Sequence, residues 1–268
     1  MTCPMGHQMA SAVSMTSQRP SAVNDIPAGG VAERFERFGG SVFAGLFAAA
    51  LFDQAMLPEV SAALENTGRI RNAPWDRALR TAASEQIAFA AEDLDRRAEM
   101  QRLKQLHRAV KGVGYNGVRY SALNPESWNW IMISTFFMHL GGYLAVTGEQ
   151  LDDDQKQAAW DHYRDMTDEL QLPGRSRLVE SYPELCAYYD RMVAEKLETN
   201  ITVQNVVDFL RRPSPPTFLP AAATPVWAAV GPLAGYLGFV LGFGVMRPGA
   251  RAVAPFDGRA ATTSNSPS

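Results

Sequence analysis

Apolar residues recur along most of this chain every three to four positions, which is the period of an amphipathic helix. In segment 96–114, Leu103, Leu106 and Val110 fall at the i, i+3, i+7 positions of one apolar stripe. His107 is the i+4 member of that stripe, so the pattern predicts an imidazole on a buried helix face. Such a histidine is either satisfied by a core hydrogen bond or bound to a ligand.

Cap-type residues and prolines predict where the other helices begin. Asn72 with Pro74, Asn124 with Pro125, and Pro183 each predict a helix start. Asp152, with Gln155 three residues later, has the spacing of a capping box. The helix after Pro125 is apolar on nearly every side and is expected to be central. Segment 38–52 is predicted as a second buried core helix.

The sequence shows no sustained alternation of period two and no Asn-Gly hairpin between β-branched strands. Gly112 and Gly114 are expected to end the His107 helix, because glycine adopts the left-handed conformation found at helix ends. We therefore predict an all-α fold.

The C-terminal apolar region has two interpretations. No charged residue lies between Pro213 and Met246, and segment 221–246 has the length that a membrane helix requires. Pro225, Pro232 and several glycines interrupt it. It is either a core or membrane-surface hairpin, or a true membrane span.

Composition places the chain among folded proteins, since 46% of its residues are hydrophobic and 20% are charged. We expect a polar tail over 1–30, one helical domain over 31–250 and a second tail over 251–268. The net charge of -3 gives no argument for nucleic-acid binding. Cys3 and Cys186, the two cysteines, predict no disulfide framework and fit a reducing compartment. No signal peptide is predicted, so we expect a cytoplasmic protein, membrane-associated where its apolar region contacts lipid. No protein partner is inferred.

Familiar catalytic motifs are absent from the sequence. It contains no Glu-x-x-His, His-Glu-x-x-His, nucleotide-binding glycine loop or Gly-x-Ser-x-Gly elbow. What remains is His107 and a helix that carries Arg77, Arg80 and Thr81 within one turn. A single histidine in an apolar pocket commonly holds haem iron, and arginines suit the two haem propionates. On a surface helix, the same arginines would form only a solvated polar face.

Three motifs, in order, resemble a known family. They are Arg77-Ala-Leu-Arg80-Thr81, then His107-Arg-Ala-Val-Lys-Gly112, then Tyr120-Ser-Ala-Leu-Asn-Pro125 leading into a tryptophan-rich helix. This pattern resembles the MpaB-like oxygenases and the latex-clearing rubber oxygenases, which share an all-helical catalytic domain. The resemblance covers roughly residues 35–250.

The resemblance implies a b-type haem and oxygen-dependent cleavage of carbon–carbon double bonds in isoprenoid chains. Position by position, it places the axial iron ligand at His107 and the family's arginine and threonine at Arg77 and Thr81. Arg80 stands where the rubber-cleaving branch has a lysine. The upstream catalytic glutamate of that branch corresponds to either Glu59 or Glu65.

Three function classes are therefore predicted. The first is a haem b oxygenase that uses dioxygen on a lipophilic, isoprenoid-like substrate, with Trp130 and Phe136 shaping an apolar channel; a steroid, a fatty acid or another terpenoid would also suit it. The second is an inactive, membrane-associated protein of the same fold, which Met132, at the position where many members have a histidine, would favour. The third is a metal enzyme or hydrolase that uses His107, His139 and His162, although a core position for His139 and an exposed one for His162 are expected.

Overall fold

The computed structural model describes residues 29–254, apart from the side chains of Ala50, Arg69, Ile70 and Arg175. The described chain is built almost entirely of helices, so the predicted all-α class is confirmed. The α-helices are α1 (Val31–Gly39), α2 (Phe52–Ala55), α3 (Pro58–Thr67), α4 (Arg69–Asn72), α5 (Pro74–Ala90), α6 (Asp93–Arg108), α7 (Pro125–Thr147), α8 (Asp153–Met166), α9 (Tyr182–Glu195), α10 (Ile201–Arg211), α11 (Thr224–Val245) and α12 (Pro248–Val253). The predicted tails lie almost wholly outside the described residues and stay predictions.

Helix α7 is the centre of the fold, as its apolar sequence predicts. The Asn124 side chain caps it by accepting hydrogen bonds from the backbone amides of Glu126 and Ser127. The Phe136 ring contacts Trp160 of α8, with ring centroids 4.9 Å apart. Trp130 packs on Tyr189 of α9 at the same centroid distance. Aromatic contacts from several helices thus close the core around α7.

A short β-hairpin, which the sequence pattern does not predict, follows α6. Strand β1 (Lys111–Val113) pairs antiparallel with β2 (Arg119–Ser121). Gly117 closes the turn with φ of 74°, and the Asn116 side chain accepts a hydrogen bond from the Val118 amide. Strands of three residues are too short to show alternation. As a result α6 ends at Arg108, before the glycines that were expected to end it.

The predicted core helix over 38–52 is also wrong. Helix α1 ends at Gly39, and a 3₁₀ helix occupies Ala44–Leu51. Phe47 points into the core, but the Phe43 side chain is 58% exposed. The tighter 3₁₀ winding and the preceding glycine pair leave this segment with one buried and one outward apolar face.

Helix α11 lies lengthwise against the body of the protein. The Trp227 indole donates a hydrogen bond to the Pro213 carbonyl, and Val245 lies against Gly141 of α7. Within residues 29–254, two helices, α7 and the helical segment 221–245, are long and apolar enough to cross a membrane. They differ in burial, since 61% of the apolar window is buried in α7 and only 17% in the other. The outward face of α11, defined as Val226, Val230, Leu233, Tyr236, Leu237, Val240 and Leu241, is exposed.

Gly235 permits the close contact between α10 and α11. A Cβ atom at this position would stand 1.9 Å from the Leu210 carbonyl oxygen, which is backbone and cannot move aside. We expect Gly235→Ala to lower the free energy of unfolding by about 2 kcal/mol, because the two helices must separate. Gly238→Ala is the matched control, since a Cβ there meets nothing within 4 Å. That variant should be neutral or about 1 kcal/mol more stable, because alanine favours helix. Thermal unfolding of both variants measures the difference, and equal midpoints would contradict the packing.

Candidate functional site

Helix α5 is anchored at its two ends and exposed in its middle. At one end, the Trp75 ring packs on Phe209 and Trp227, and its indole donates a hydrogen bond to the Ser214 carbonyl. At the other end, buried Phe89 stacks on His139 of α7. Residues 77–83 between them are all exposed, so this part of α5 stands away from the body of the protein.

Helices α5 and α6 form an antiparallel pair whose register is fixed by one contact. The Ser84 hydroxyl donates a hydrogen bond to the Glu99 carboxylate, which also holds the Arg102 guanidinium. Eight residues onward along α6 is His107, and eight residues back along α5 is Asp76. Arg77 lies near the start of α5 and His107 near the end of α6, so both lie far along the chain from the turn that joins the two helices.

His107 has one ring nitrogen engaged and one available. Its Nδ1 lies 2.7 Å from the Leu103 carbonyl oxygen, so Nδ1 carries the proton and donates. Nε2 has no hydrogen-bond partner in the described part of the chain, and the ring edge meets Trp128 at 5.3 Å between centroids. The imidazole is half-buried rather than buried, and Leu106 beside it is 54% exposed. The prediction of a buried apolar stripe is therefore wrong, because Leu103, His107 and Val110 are only half-buried and Leu106 is exposed.

The three predicted residues of α5 lie together on its exposed middle. Arg77, Arg80 and Thr81 follow one another within a single turn, as the sequence predicts, and all three are exposed. The structure thus places two guanidinium groups and a hydroxyl on the helix that pairs with the His107 helix. Their predicted roles in cofactor binding and catalysis stay predictions.

The two candidate glutamates are on α3, which packs on the β-hairpin and α10. Glu65 is buried and fully engaged: its carboxylate accepts hydrogen bonds from Thr202 and Asn205, each at 3.1 Å, and pairs with the Arg71 Nε at 3.1 Å. Glu59 is half-buried in the first turn of the helix. The side-chain contacts of Glu65 therefore go to α10 and Arg71, not to α5.

Trp130 and Phe136 do not line an open channel in this structure, in contrast to the prediction. Both side chains are fully buried in the aromatic core. Met132 is buried beside them, and its backbone carbonyl accepts a hydrogen bond from the Tyr163 hydroxyl at 3.0 Å. These large side chains pack α7 against α8 and α9.

The other two predicted histidines lie apart from His107. His139 is buried as expected; its Nδ1 bonds to the Thr135 carbonyl, and burial lowers the pKa of its imidazole to about 4. The expectation that His162 is exposed is wrong, since it is half-buried and its Nε2 lies 2.8 Å from the Glu36 carboxylate. Within residues 29–254, no three His, Cys, Asp or Glu side chains form a ready metal site. The three-histidine metal interpretation therefore has no support.

Glu85 was missed by sequence reasoning. It follows Thr81 by four residues on α5, so the two side chains are neighbours along one ridge of the helix. Burial raises the pKa of its carboxyl to about 7. The spacing from Thr81 was visible in the sequence, but burial against other helices was not.

Helices α5 and α6 carry residue types that a haem group would use. The porphyrin supplies four nitrogen ligands itself, so one histidine with an available Nε2 completes the protein's share. Arg77 and Arg80 offer charged hydrogen-bond donors for carboxylates, and the exposed Leu79 and Leu106 offer apolar contact.

Comparison with known proteins agrees with the order of motifs. A family model described as "ER-bound oxygenase mpaB/B'/Rubber oxygenase, catalytic domain" matches residues 36–264, which is most of the chain. No curated protein and no solved structure matches it. The matched range includes α5, α6 and the whole of α7. This chain therefore belongs to the family of the ER-bound oxygenase mpaB/B' and rubber oxygenase catalytic domains.

Proposed function

We propose that this protein is a haem b-dependent oxygenase that uses dioxygen on a lipophilic, isoprenoid-like substrate. The observation that carries the proposal is His107: its Nδ1 is fixed by the Leu103 carbonyl, which directs an available Nε2 outward from α6. A hydrogen bond at the second ring nitrogen is the usual way in which a protein orients a histidine that binds metal. The match to an oxygenase family supports the same chemistry.

In this proposal His107 holds the haem iron, and Arg77 and Arg80 bind carboxylate groups of the cofactor or substrate. Thr81, in the same helix turn, donates a hydrogen bond to the same cofactor or substrate. An arginine guanidinium is a charged donor without a free lone pair, so Arg80 acts as a donor and not as an iron ligand. When bound, haem supplies the activation of dioxygen, and the protein supplies orientation and polarity.

The two upstream glutamates differ in what they can do. Glu65 already has three polar partners, so its proposed role is to hold α3, α4 and α10 together. Glu59 lacks such a network and is the freer carboxylate for a proton-accepting role. We expect Glu65→Gln to lower stability and Glu59→Gln to leave the unfolding midpoint nearly unchanged.

An absorption spectrum of the purified full chain with added haem tests the cofactor. We expect a Soret band that saturates at one haem per chain and differs from that of free haem. A spectrum identical to free haem would sink the proposal. Reaction with dioxygen and an isoprenoid oligomer should then convert one C=C bond and one O₂ into two carbonyl groups. An anaerobic sample is the control.

We also propose that the outward face of α11 rests on a membrane surface. Contacts along the whole helix, from Trp227 to Val245, lay it flat against the protein and leave only one face for lipid. To cross a bilayer, α11 would have to lose its contacts with the neighbouring helices or carry those helices into the bilayer. The description of the matching family, which names an ER-bound oxygenase, supports contact at a membrane.

Flotation of the full chain with phospholipid vesicles tests this placement. Replacing Leu233 and Leu237 with lysine puts two charges on the outward face and should abolish flotation. Leu94→Lys is the matched control, because Leu94 is equally apolar and 84% exposed but lies on α6. If flotation is the same for all three proteins, the membrane placement is wrong. Flotation of a chain that binds no haem would favour the inactive, membrane-associated alternative.

A further inference from the structure

The region around α11 is basic, although the chain as a whole is acidic. From residue 209 to residue 254 the sequence contains four arginines and no Asp, Glu or Lys, whereas the net charge of the whole chain is -3. Two of the four, Arg247 and Arg251, follow α11 and are half-buried. The other two, Arg211 and Arg212, are exposed and are called the arginine pair below.

Two contacts determine where the arginine pair lies along α11. The Leu210 carbonyl, just before the pair, lies so close to Gly235 that an added Cβ atom would clash with it. The Pro213 carbonyl, just after the pair, accepts a hydrogen bond from the Trp227 indole at 2.8 Å. The backbone of the pair is therefore level with the part of α11 between Trp227 and Gly235, which is about 12 Å long. This part includes the middle of the apolar segment 221–245.

The arginine pair lies on the side of α11 that is opposite to the outward face. Gly231, Gly235 and Gly242 are the buried residues of α11, and their spacing puts them on one side of the helix. Leu210 meets this side at Gly235, whereas Leu233 of the outward face is exposed on the other side. A helix with its side chains is about 10 Å thick, so the backbone of the pair lies about that far behind the outward side chains.

This arrangement distinguishes two orientations of α11 in a membrane. If α11 crossed the bilayer, the arginine pair would be level with the hydrocarbon centre, which is the most costly depth for a charged side chain. If α11 lies in the surface with its outward face against the acyl chains, groups one helix diameter behind that face are level with the headgroups. Phosphate groups at that level accept charge-assisted hydrogen bonds from guanidinium groups. The surface orientation therefore gives both arginines a partner.

Few protein groups compete with phosphate for the arginine pair. Arg211 approaches the Asp208 carboxylate at 3.9 Å, but the two side chains are 70% and 75% exposed. An exposed ion pair of that length contributes little binding energy. Arg212 forms no ion pair with the residues that the structure describes. Asp76, at the nearby start of α5, accepts a hydrogen bond from Thr217 at 3.2 Å.

We propose that Arg211 and Arg212 bind the phosphate groups of anionic phospholipids when the outward face of α11 contacts a membrane. The inference rests on the proposed membrane contact and adds the lipid class to it. The apolar side chains of the outward face attach to any bilayer, and the two guanidinium groups add a preference for a negatively charged leaflet. The preference does not depend on whether the chain binds haem.

Flotation of the full chain with two kinds of vesicle tests the inference. One kind is phosphatidylcholine alone, and the other contains phosphatidylcholine and phosphatidylserine in equal parts. The double variant Arg211→Gln and Arg212→Gln should bind the mixed vesicles about 25-fold more weakly than wild type, since each arginine near an anionic surface contributes about five-fold. Its binding to phosphatidylcholine should be nearly unchanged. Added salt should reduce the difference, because it screens the charges.

The double variant Lys111→Gln and Arg119→Gln is the matched control. It removes the same charge from two exposed side chains of the β-hairpin, which packs on α3, and it should bind both kinds of vesicle as wild type does. If wild type binds both kinds equally, or if the two double variants bind alike, the lipid preference is overturned while the membrane contact stands. If wild type floats with neither kind, the membrane contact itself is wrong and the preference falls with it.

The depth of the arginine pair in the membrane gives a second readout. A fluorophore attached at Arg212→Cys should be quenched more by a spin label on the lipid headgroup than by one at the end of an acyl chain. At Leu233→Cys, on the outward face, the order should be reversed. Both variants are made in a chain whose Cys3 and Cys186 are replaced by serine. Stronger quenching from the acyl end at both positions would overturn the inference and indicate that α11 crosses the bilayer.

Discussion

Replacing His107 with alanine is expected to abolish the Soret band of the haem-loaded protein and its oxygenase activity. His107 is the one histidine on helices α5 and α6, and it would supply the protein's ligand to a haem iron. Because the ring is half-buried and its contacts are the Leu103 carbonyl and the edge of Trp128, unfolding stability should change by only about 1 kcal/mol. Loss of the band with a nearly unchanged unfolding midpoint would therefore identify a ligand and not a core residue.

Two controls sharpen this result. His162→Ala removes a comparably exposed imidazole that bonds to Glu36, and it should keep the band. Added imidazole should restore the band to His107→Ala, since a small free ligand can occupy the position of the missing side chain. Survival of the full band in His107→Ala without added imidazole would show that another group binds the iron.

Replacing Asp53 with asparagine is expected to remove the part of the pH dependence of stability between pH 4 and pH 7 that comes from this carboxyl. Asp53 is buried on α2; one carboxyl oxygen accepts a hydrogen bond from the Tyr189 hydroxyl at 2.7 Å, and the other has no partner in the described chain. Burial is the largest cause that raises the pKa of this carboxyl, from 3.8 to about 7. The folded protein therefore binds the proton more tightly than the unfolded chain does.

The sign of the effect follows from that difference. Between pH 4 and pH 7 the folded state holds a proton at Asp53 that the unfolded state has lost, so stability falls as pH rises. The limit set by the two pKa values is on the order of 4 kcal/mol by pH 7. Burial also raises the pKa of Glu85, so this group too makes stability fall as pH rises. The lowered pKa of His139 has the opposite effect on stability.

Urea unfolding of wild type and Asp53→Asn at several pH values measures this contribution. Asparagine retains an acceptor for Tyr189 and cannot ionise, so the variant should be the more stable protein above pH 7. Asp208→Asn, at an exposed carboxylate 3.9 Å from Arg211, should keep the slope of the wild type. Equal slopes for wild type and Asp53→Asn would mean that Asp53 does not titrate in the folded protein.

The central helix and its caps could be predicted from sequence because the signals are local. Asn124 and Asp152 both cap helices as their spacing indicates, and the Asp152–Gln155 pair forms the expected capping box. The apolar sequence after Pro125 requires burial on all sides, and the structure provides it. The grouping of Arg77, Arg80 and Thr81 was predictable for the same reason, since one helix turn determines it.

The remaining features depend on contacts between distant segments. The exposure of Leu106 and His107 cannot be derived from their spacing, because an apolar stripe looks the same whether it faces a core or a ligand. The role of Glu65 depends on Thr202 and Asn205, which lie far along the chain. The β-hairpin after α6 was missed because each of its strands has only three residues.

The attachment of α5 by its two ends has a consequence for how a cofactor could enter. Trp75 and Phe89 hold the ends, so residues 77–83 can unwind and re-form locally without opening the aromatic core. Haem, a rigid and flat molecule, could then bind to the folded protein, and its binding would order residues 77–83. We expect amide hydrogen exchange in residues 77–83 to be fast in the protein alone and to slow markedly once haem is added, while exchange in α7 stays the same. Haem binding would thus be a separate step that follows folding.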